Sequence, residues 1–303
     1  MTNIIVTGSR GFLGQHLMAY LRELGYDPYG VPSSTYDLRT PYALEALFKH
    51  AGKPDVIFHL AASVGGISYN LNNPASIYFN NVMMNTQLIQ RAALAGVSKF
   101  IFAGSACAYP NHNPIPTGEH CLWNGYPEES NASYGVSKRI ALTQLQACRK
   151  QYGMDFAYPI FTNLYGPGDC FDDDRSHVIP ALIKRFVHGV DKVVVWGDGS
   201  PTRDFLYVTD AVRALVACMG VECREPVNIA SGENISIRRL VDIIQAACDR
   251  QALPVEWDSS KPNGQMERGY RIQKARGVLG WVPEVGIEEG VRQTVEWYME
   301  RIR

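Results

Sequence analysis

The chain has 303 residues, 46% hydrophobic and 19% charged, which is enough apolar material to bury a full core. A net charge of −1 gives no electrostatic reason to expect nucleic acid or an anionic membrane as partner, and no apolar run approaches the ~18 residues of a membrane-spanning helix. The 7 cysteines include no Cys-x-x-Cys pair, so neither a disulfide framework nor a metal site is suggested and a reduced, cytoplasmic protein is expected.

The first predicted element is a strand over residues 3–8. It follows Met1 at once, without the basic segment that opens a secretory leader. Gly8-Ser9-Arg10-Gly11-Phe12-Leu13-Gly14 comes next, then a helical pattern over residues 16–24. A strand, glycines three apart and a helix make a dinucleotide pyrophosphate turn. Glycine lets the backbone approach the phosphates, and the helix start offers N–H groups and a positive dipole end. The second strand, residues 27–31, ends in Pro32-Ser33-Ser34-Thr35. It lacks the Asp or Glu that holds the ribose 2′-hydroxyl in NAD sites. Arg10 with the hydroxyls of Ser33 and Ser34 suits a 2′-phosphate instead, so NADP is the predicted cofactor.

A helix over residues 42–50 leads to a strand over 55–62, and the Gly-rich loop 63–67 is expected to lie over the cofactor or the substrate. His59, inside an apolar strand, reads as a satisfied core histidine. A long helix is predicted from Pro74 to about Ala95, with proline at its start and Gly96 past its end. The β-branched and aromatic run 99–103 reads as a buried parallel strand. It delivers Gly104-Ser105-Ala106-Cys107 to the carboxyl edge of the sheet, where open α/β sheets bind ligands. In an extended segment Ser105 and Cys107 point the same way.

Residues 110–131 carry Pro110, Pro114, Pro116 and Pro127 and read as a loop bordering the site, with His112 and His120 on the surface. The helix predicted over 132–151 sets Tyr134 and Lys138 at i, i+4 on one face. Ser, Tyr and Lys in this order suggest proton-coupled hydride transfer. Strands over 154–159 and 162–167 precede an acidic loop whose Asp172, Asp173 and Asp174 read as solvated charge. A helix follows over 176–186, then a strand over 192–196, and residues 205–211 are expected to return to the sheet. The expected fold is α/β: a Rossmann-type doubly wound parallel sheet over residues 1–166, with a return segment near 205–230. A smaller substrate-binding domain over 167–204 and 231–303 completes it.

These residues resemble the extended short-chain dehydrogenase/reductase superfamily over nearly the whole chain. Within it the sequence is most similar to the GDP-L-fucose synthase family, NADPH-dependent 3,5-epimerases and 4-reductases of GDP-4-keto-6-deoxymannose. The motifs that carry this are Val64-Gly-Gly-Ile67, Gly-Ser-Ala-Cys-Ala-Tyr-Pro at 104–110, Thr-Asn-Leu-Tyr-Gly-Pro at 162–167, Ser-His-Val-Ile-Pro-Ala-Leu at 176–182 and Val-Val-Trp-Gly at 194–197.

The resemblance implies that Cys107 and His177 exchange the protons at C3 and C5, which the 4-keto group acidifies. It implies that Tyr134 protonates the carbonyl oxygen, that Ser105 orients it, and that Lys138 holds the nicotinamide ribose and lowers the tyrosine pKa by its charge. Cofactor contacts are implied at Gly8 to Gly14, Ser33, Ser34, Asp37, Leu38, Ala61, Ala62, Ala103, Gly104, Ser105, Tyr134, Lys138, Phe161, Thr162, Asn163, Leu164 and His177. Arg185, Trp196, Arg203 and Asp258 are implied for a GDP-linked sugar. A homodimer is implied through the helices starting near Pro74 and Ala132, with Leu88, Leu142 and Leu145 as outer positions. Arg271 stands where relatives carry Asp before Lys-Ala-Arg, and Ser33 where a second basic residue is expected. A modified GDP-sugar such as a heptose, a 4-epimerase, or a 4-keto reductase without 3,5-epimerisation are the alternatives. An NADPH-sensing module without turnover is the third reading, and it has no use for a proton donor.

Overall fold

Short apolar runs build the frame. The computed structural model describes residues 2–302 apart from 174 and 262. β1 (Ile4–Thr7) is buried throughout and passes through the glycine turn into α1 (Phe12–Glu23). Then come β2 (Tyr29–Val31), α2 (Pro41–Ala51), β3 (Val56–His59), the short α3 (Ile67–Asn72) and α4 (Pro74–Leu94). Helix α3 lies partly in the stretch expected to be a glycine loop; six residues are too few for a helical period to show. β4 (Lys99–Phe102) and the two-residue β5 (Gly104–Ser105) precede α5 (Ala132–Tyr152), which Gly153 closes in the left-handed conformation.

β6 (Asp155–Phe161), β7 (Asn163–Tyr165), α6 (Val178–His188), β8 (Val193–Trp196), β9 (Thr202–Tyr207), α7 (Val208–Ala217) and β10 (Pro226–Ile229) follow. The chain ends with β11 (Asn234–Ser236), α8 (Ile237–Ala247), β12 (Val255–Asp258), α9 (Gln273–Leu279) and α10 (Ile287–Ile302).

The main sheet runs β10-β6-β4-β3-β1-β2, all parallel, with β5 added beside β6. The chain turns one way from β1 to β2 and the other way to β3. That is a topological switch point, so a crevice opens at the carboxyl ends of β1 and β3. Alternate strand residues feed two layers. Ile5, Ile57, Phe100 and Phe102 pack with α2, α4 and α5, while Ile4, Val6, Phe58 and Ile101 pack with α1 and α7. A third core joins Ile183 and Phe186 of α6, Leu240 and Ile244 of α8 and Val291 and Val295 of α10.

Two expectations are corrected. Residues 205–211 do not return to the main sheet. β9 pairs with β7 and β11 in a three-stranded sheet, α7 begins at Val208, and β10 is the strand that returns. Val208, Ala211, Val212 and Leu215 recur at helical spacing and are all buried, so this stretch has the wrong period for a strand. Leu88, Leu142 and Leu145 are not outer positions. Each is 0% exposed, because α4 and α5 turn these leucines onto the sheet.

Candidate active site

The glycine turn is a tight cradle. Gly8 has φ 69°, and a Cβ there would lie 2.8 Å from the Ala61 nitrogen. A Cβ on Gly14 would lie 2.1 Å from the Gly8 carbonyl oxygen, which already accepts a hydrogen bond from the Gly11 N–H at 2.9 Å. Gly11 caps α1 without a side-chain hydrogen bond, leaving the first helical N–H groups for an anion. Arg10 Nη1 donates to Ser34 Oγ at 3.4 Å, so the two groups expected at a 2′-phosphate are brought together at the end of β2, with Ser33 exposed beside them. Asp37 is taken up by Arg39, whose Nε and Nη2 donate to it at 2.8 and 2.7 Å, and these bonds hold its carboxyl below the usual range. Leu38 is buried, and Ala61 donates its N–H to Thr7 Oγ1 at 3.3 Å on the crevice wall. A cradle that any Cβ would fill, with a guanidinium at its ribose end, fits a dinucleotide phosphate.

At the end of β5 the chain is not extended as expected. Ser105 caps a single 3-10 turn over Ala106–Ala108, and its Oγ accepts the Cys107 N–H at 3.2 Å. The thiol and the hydroxyl are therefore joined through a cap rather than by sharing a strand face. Ser105 also hydrogen-bonds Tyr134. Lys138 is 2% exposed, donates to the Ala103 carbonyl oxygen at 2.8 Å, and lies 4.6 Å from the Phe102 ring centre and 5.4 Å from that of Tyr134. Burial depresses its pKa to about 7, against an opposing pull from Cys107.

In the free protein the Tyr134 pKa is raised rather than lowered overall. Burial first, and then the charge of Cys107, raise Tyr134, and the bond from Ser105 offsets only part of this. The phenol is thus held protonated. Ser105, Cys107, Tyr134 and Lys138 form one cluster, which Tyr270 joins: it is 6% exposed and also feels Cys107. Tyr270 had no sequence signal, since its segment has no period. His59 is 0% exposed, bonded to Thr7 Oγ1 at 2.7 Å and Asn85 Oδ1 at 2.9 Å, and pushed by burial to about 3. It is a neutral core histidine.

On the other wall, Thr162 Oγ1 and Asn163 Nδ2 donate to the Asp204 carbonyl oxygen at 2.9 and 2.8 Å, between buried Phe161 and half-buried Leu164. His177 precedes α6 but makes no side-chain cap. His177 is exposed, and desolvation by nearby protein lowers its pKa. No hydrogen bond joins it to Cys107, Tyr134 or Lys138 among the described residues.

Arg185 Nη1 donates to the Val194 carbonyl oxygen at 2.9 Å. Exposed Trp196 lies opposite Asp258 across β8 and β12, and the Asp258 carboxylate accepts Ser260 Oγ at 2.5 Å. Arg203 donates to the Thr202 carbonyl oxygen at 2.7 Å and has no ion pair among the described residues. Burial, and then the charge of Arg268, bring its pKa to about 10. Arg268 is thus near enough for its charge to act on Arg203, and it also acts on Glu128; two neighbouring guanidinium groups suit a pyrophosphate. Arg268 was missed in the sequence for the same reason as Tyr270. Arg271 is exposed and braces the neighbouring loop, donating Nε to the Pro116 carbonyl oxygen at 3.1 Å. Asp173 pairs with Lys184 at 2.9 Å, and Asp174 lies outside the described residues.

A switch-point crevice with a glycine phosphate turn and a Ser–Tyr–Lys cluster at its edge defines a nicotinamide-nucleotide enzyme. Residues 4–230 match the NAD dependent epimerase/dehydratase family, and the chain belongs to it. Its relatives include GDP-L-fucose synthases, the group its motifs resemble, and GDP-mannose 3,5-epimerases. It is 36% identical over 305 residues to GDP-L-fucose synthase 1 of Arabidopsis thaliana, covering 99% of this chain and 94% of the relative. Identity to GDP-L-fucose synthase of Escherichia coli (strain K12) is 31% over 318 residues, 98% of this chain and 96% of the relative. A crystal structure of a GDP-L-fucose synthetase from Naegleria fowleri bound to NADP superposes with a TM-score of 0.89 at 29% identity, covering 100% of this chain and 95% of that one.

Proposed function

We propose that this chain performs NADPH-dependent 3,5-epimerisation and 4-keto reduction of a GDP-4-keto-6-deoxyhexose. The observation that carries the reading is the convergence of Ser105, Cys107, Tyr134 and Lys138 at the carboxyl edge of the sheet. The turn from Gly8 to Gly14 would hold the pyrophosphate of NADP, with Arg10 and Ser34 at the 2′-phosphate. Bound NADPH supplies the hydride. Tyr134, kept protonated by burial, gives its proton to the carbonyl oxygen, and Ser105 aligns that oxygen. Lys138, on the same helical face, binds the nicotinamide ribose. Cys107 and His177 move the protons at the carbons flanking the keto group. Arg203 binds the diphosphate together with Arg268, and Arg185, Trp196 and Asp258 border the nucleotide.

Deuterium incorporation at C3 and C5 in D2O, read beside NADPH oxidation, tests this reading. Exchange with reduction supports it. Reduction without exchange would leave a 4-keto reductase only. Cys107→Ser should abolish exchange and spare hydride transfer to an already epimerised ketone. Tighter binding of NADH than of NADPH would refute the role of Arg10 and Ser34.

The 7 cysteines are all free, which supports a reducing compartment such as the cytoplasm. Residues 167–204 and 231–303 serve as the substrate-binding domain; the separate core of α6, α8 and α10 supports this division. The working form is a homodimer through the outer faces of α4 and α5, a reading supported by Phe79, 59% exposed on α4.

A further inference from the structure

Arg139 follows Lys138 on α5, and the proposed reaction gives it no task. It is 7% exposed and has no acidic partner among the described residues. Nε donates to the Ala108 carbonyl oxygen at 2.5 Å and Nη1 to the Gly125 carbonyl oxygen at 2.7 Å, while buried Nη2 has no acceptor among the described residues. Burial depresses its pKa. A buried cation without a counter-charge costs stability compared with an apolar side chain. Stability alone therefore does not explain it.

Its bonds do. Ala108 closes the 3-10 turn that carries Cys107. One helical turn before Arg139 is Gly135, where a Cβ would lie 2.3 Å from the Cys107 carbonyl oxygen. Residues 135 and 139 are i, i+4 neighbours lying on the Cys107 turn, and residues 134 and 138 are i, i+4 neighbours bonded to Ser105 and Ala103. Helix α5 thus carries two adjacent stripes, one for the tyrosine and lysine and one for the thiol turn.

We propose that Arg139 is a positioning residue: it clamps the 106–108 turn so that Cys107 and Tyr134 are held in register over one substrate. The inference rests on the reading of Cys107 as a proton-exchange group. A thiol displaced by an ångström loses its attack geometry, whereas Tyr134 and Lys138 keep theirs on the helix.

Wild type, Arg139→Lys, Arg139→Met and Cys107→Ser are compared in three assays. These are deuterium exchange into GDP-4-keto-6-deoxymannose, NADPH oxidation by the already epimerised ketone, and the rate of Cys107 alkylation by iodoacetamide mapped by mass spectrometry. Arg139→Met should slow exchange about tenfold or more relative to reduction and speed alkylation. Arg139→Lys, which can serve one carbonyl but not both, should fall between, and it carries the same readouts if Arg139→Met does not fold. An unchanged ratio of exchange to reduction with an unchanged alkylation rate overturns the proposal. If Cys107→Ser exchanges like wild type, the reading of Cys107 fails instead, and the alkylation rate alone decides the clamp.

Discussion

The lysine at the centre of the site has exchanged water for one carbonyl bond and two aromatic rings. With its pKa near 7, the free protein holds it about half protonated at neutral pH. If Lys138 holds the nicotinamide ribose as proposed, bound cofactor would bring hydroxyl acceptors to it and favour the ammonium form. Binding of NADPH near neutral pH should therefore take up protons. Calorimetry in buffers of different ionisation enthalpy measures this, and the uptake should vanish in Lys138→Met at saturating cofactor. A second residue-scale test is Gly135→Ala. The added methyl meets backbone 2.3 Å away and cannot be absorbed by a side-chain rotation. It should cost about 1–3 kcal/mol in urea denaturation and suppress exchange more than cofactor binding.

At the scale of elements, α7 is tied to the segment that leads into α10. Asp210 is 0% exposed and accepts Arg213 Nη1 at 2.6 Å and the N–H groups of Glu284 and Val285 at 3.0 Å each, while Trp281 Nε1 donates to its carbonyl oxygen at 3.0 Å. This one carboxylate fixes how the C-terminal helix enters its core. Asp210→Ala leaves two backbone amides without their acceptor, while Arg213 keeps the Glu284 carboxylate at 2.7 Å and the Val282 carbonyl oxygen at 3.1 Å. It should lower stability by about 1–3 kcal/mol for each orphaned amide, read from the denaturation midpoint. The elements themselves were largely legible in the sequence. Helix α4 begins on Pro74 and stops before Gly96, where φ is 71°, as proline and glycine placement led one to expect. The segment 205–211 was misplaced because Phe205-Leu206-Tyr207 reads as a strand and the helical period begins only at Val208.

For the whole molecule, the sheet carries Ser105 at its edge, and the segments after β7, which have a core of their own, carry Arg203 and Arg268. If the dimer proposed through α4 and α5 forms, Phe79→Glu should convert it to monomer in size-exclusion chromatography with light scattering, with NADPH affinity unchanged.

The glycine turn, the Ser105, Tyr134 and Lys138 set and the parallel-sheet strands were readable from the chain alone. Each is encoded in neighbouring residues: a spacing, a period, a bounded apolar run. Tertiary structure alone decided that Leu88, Leu142 and Leu145 face inward, that Cys107 sits on a turn capped by Ser105, that Lys138 is pushed to about 7, and that Tyr270 lies near Cys107 and Arg268 near Arg203. The physical reason is the same in every case. Burial, desolvation and charge proximity are set by which distant segments pack together, and no local spacing carries that information.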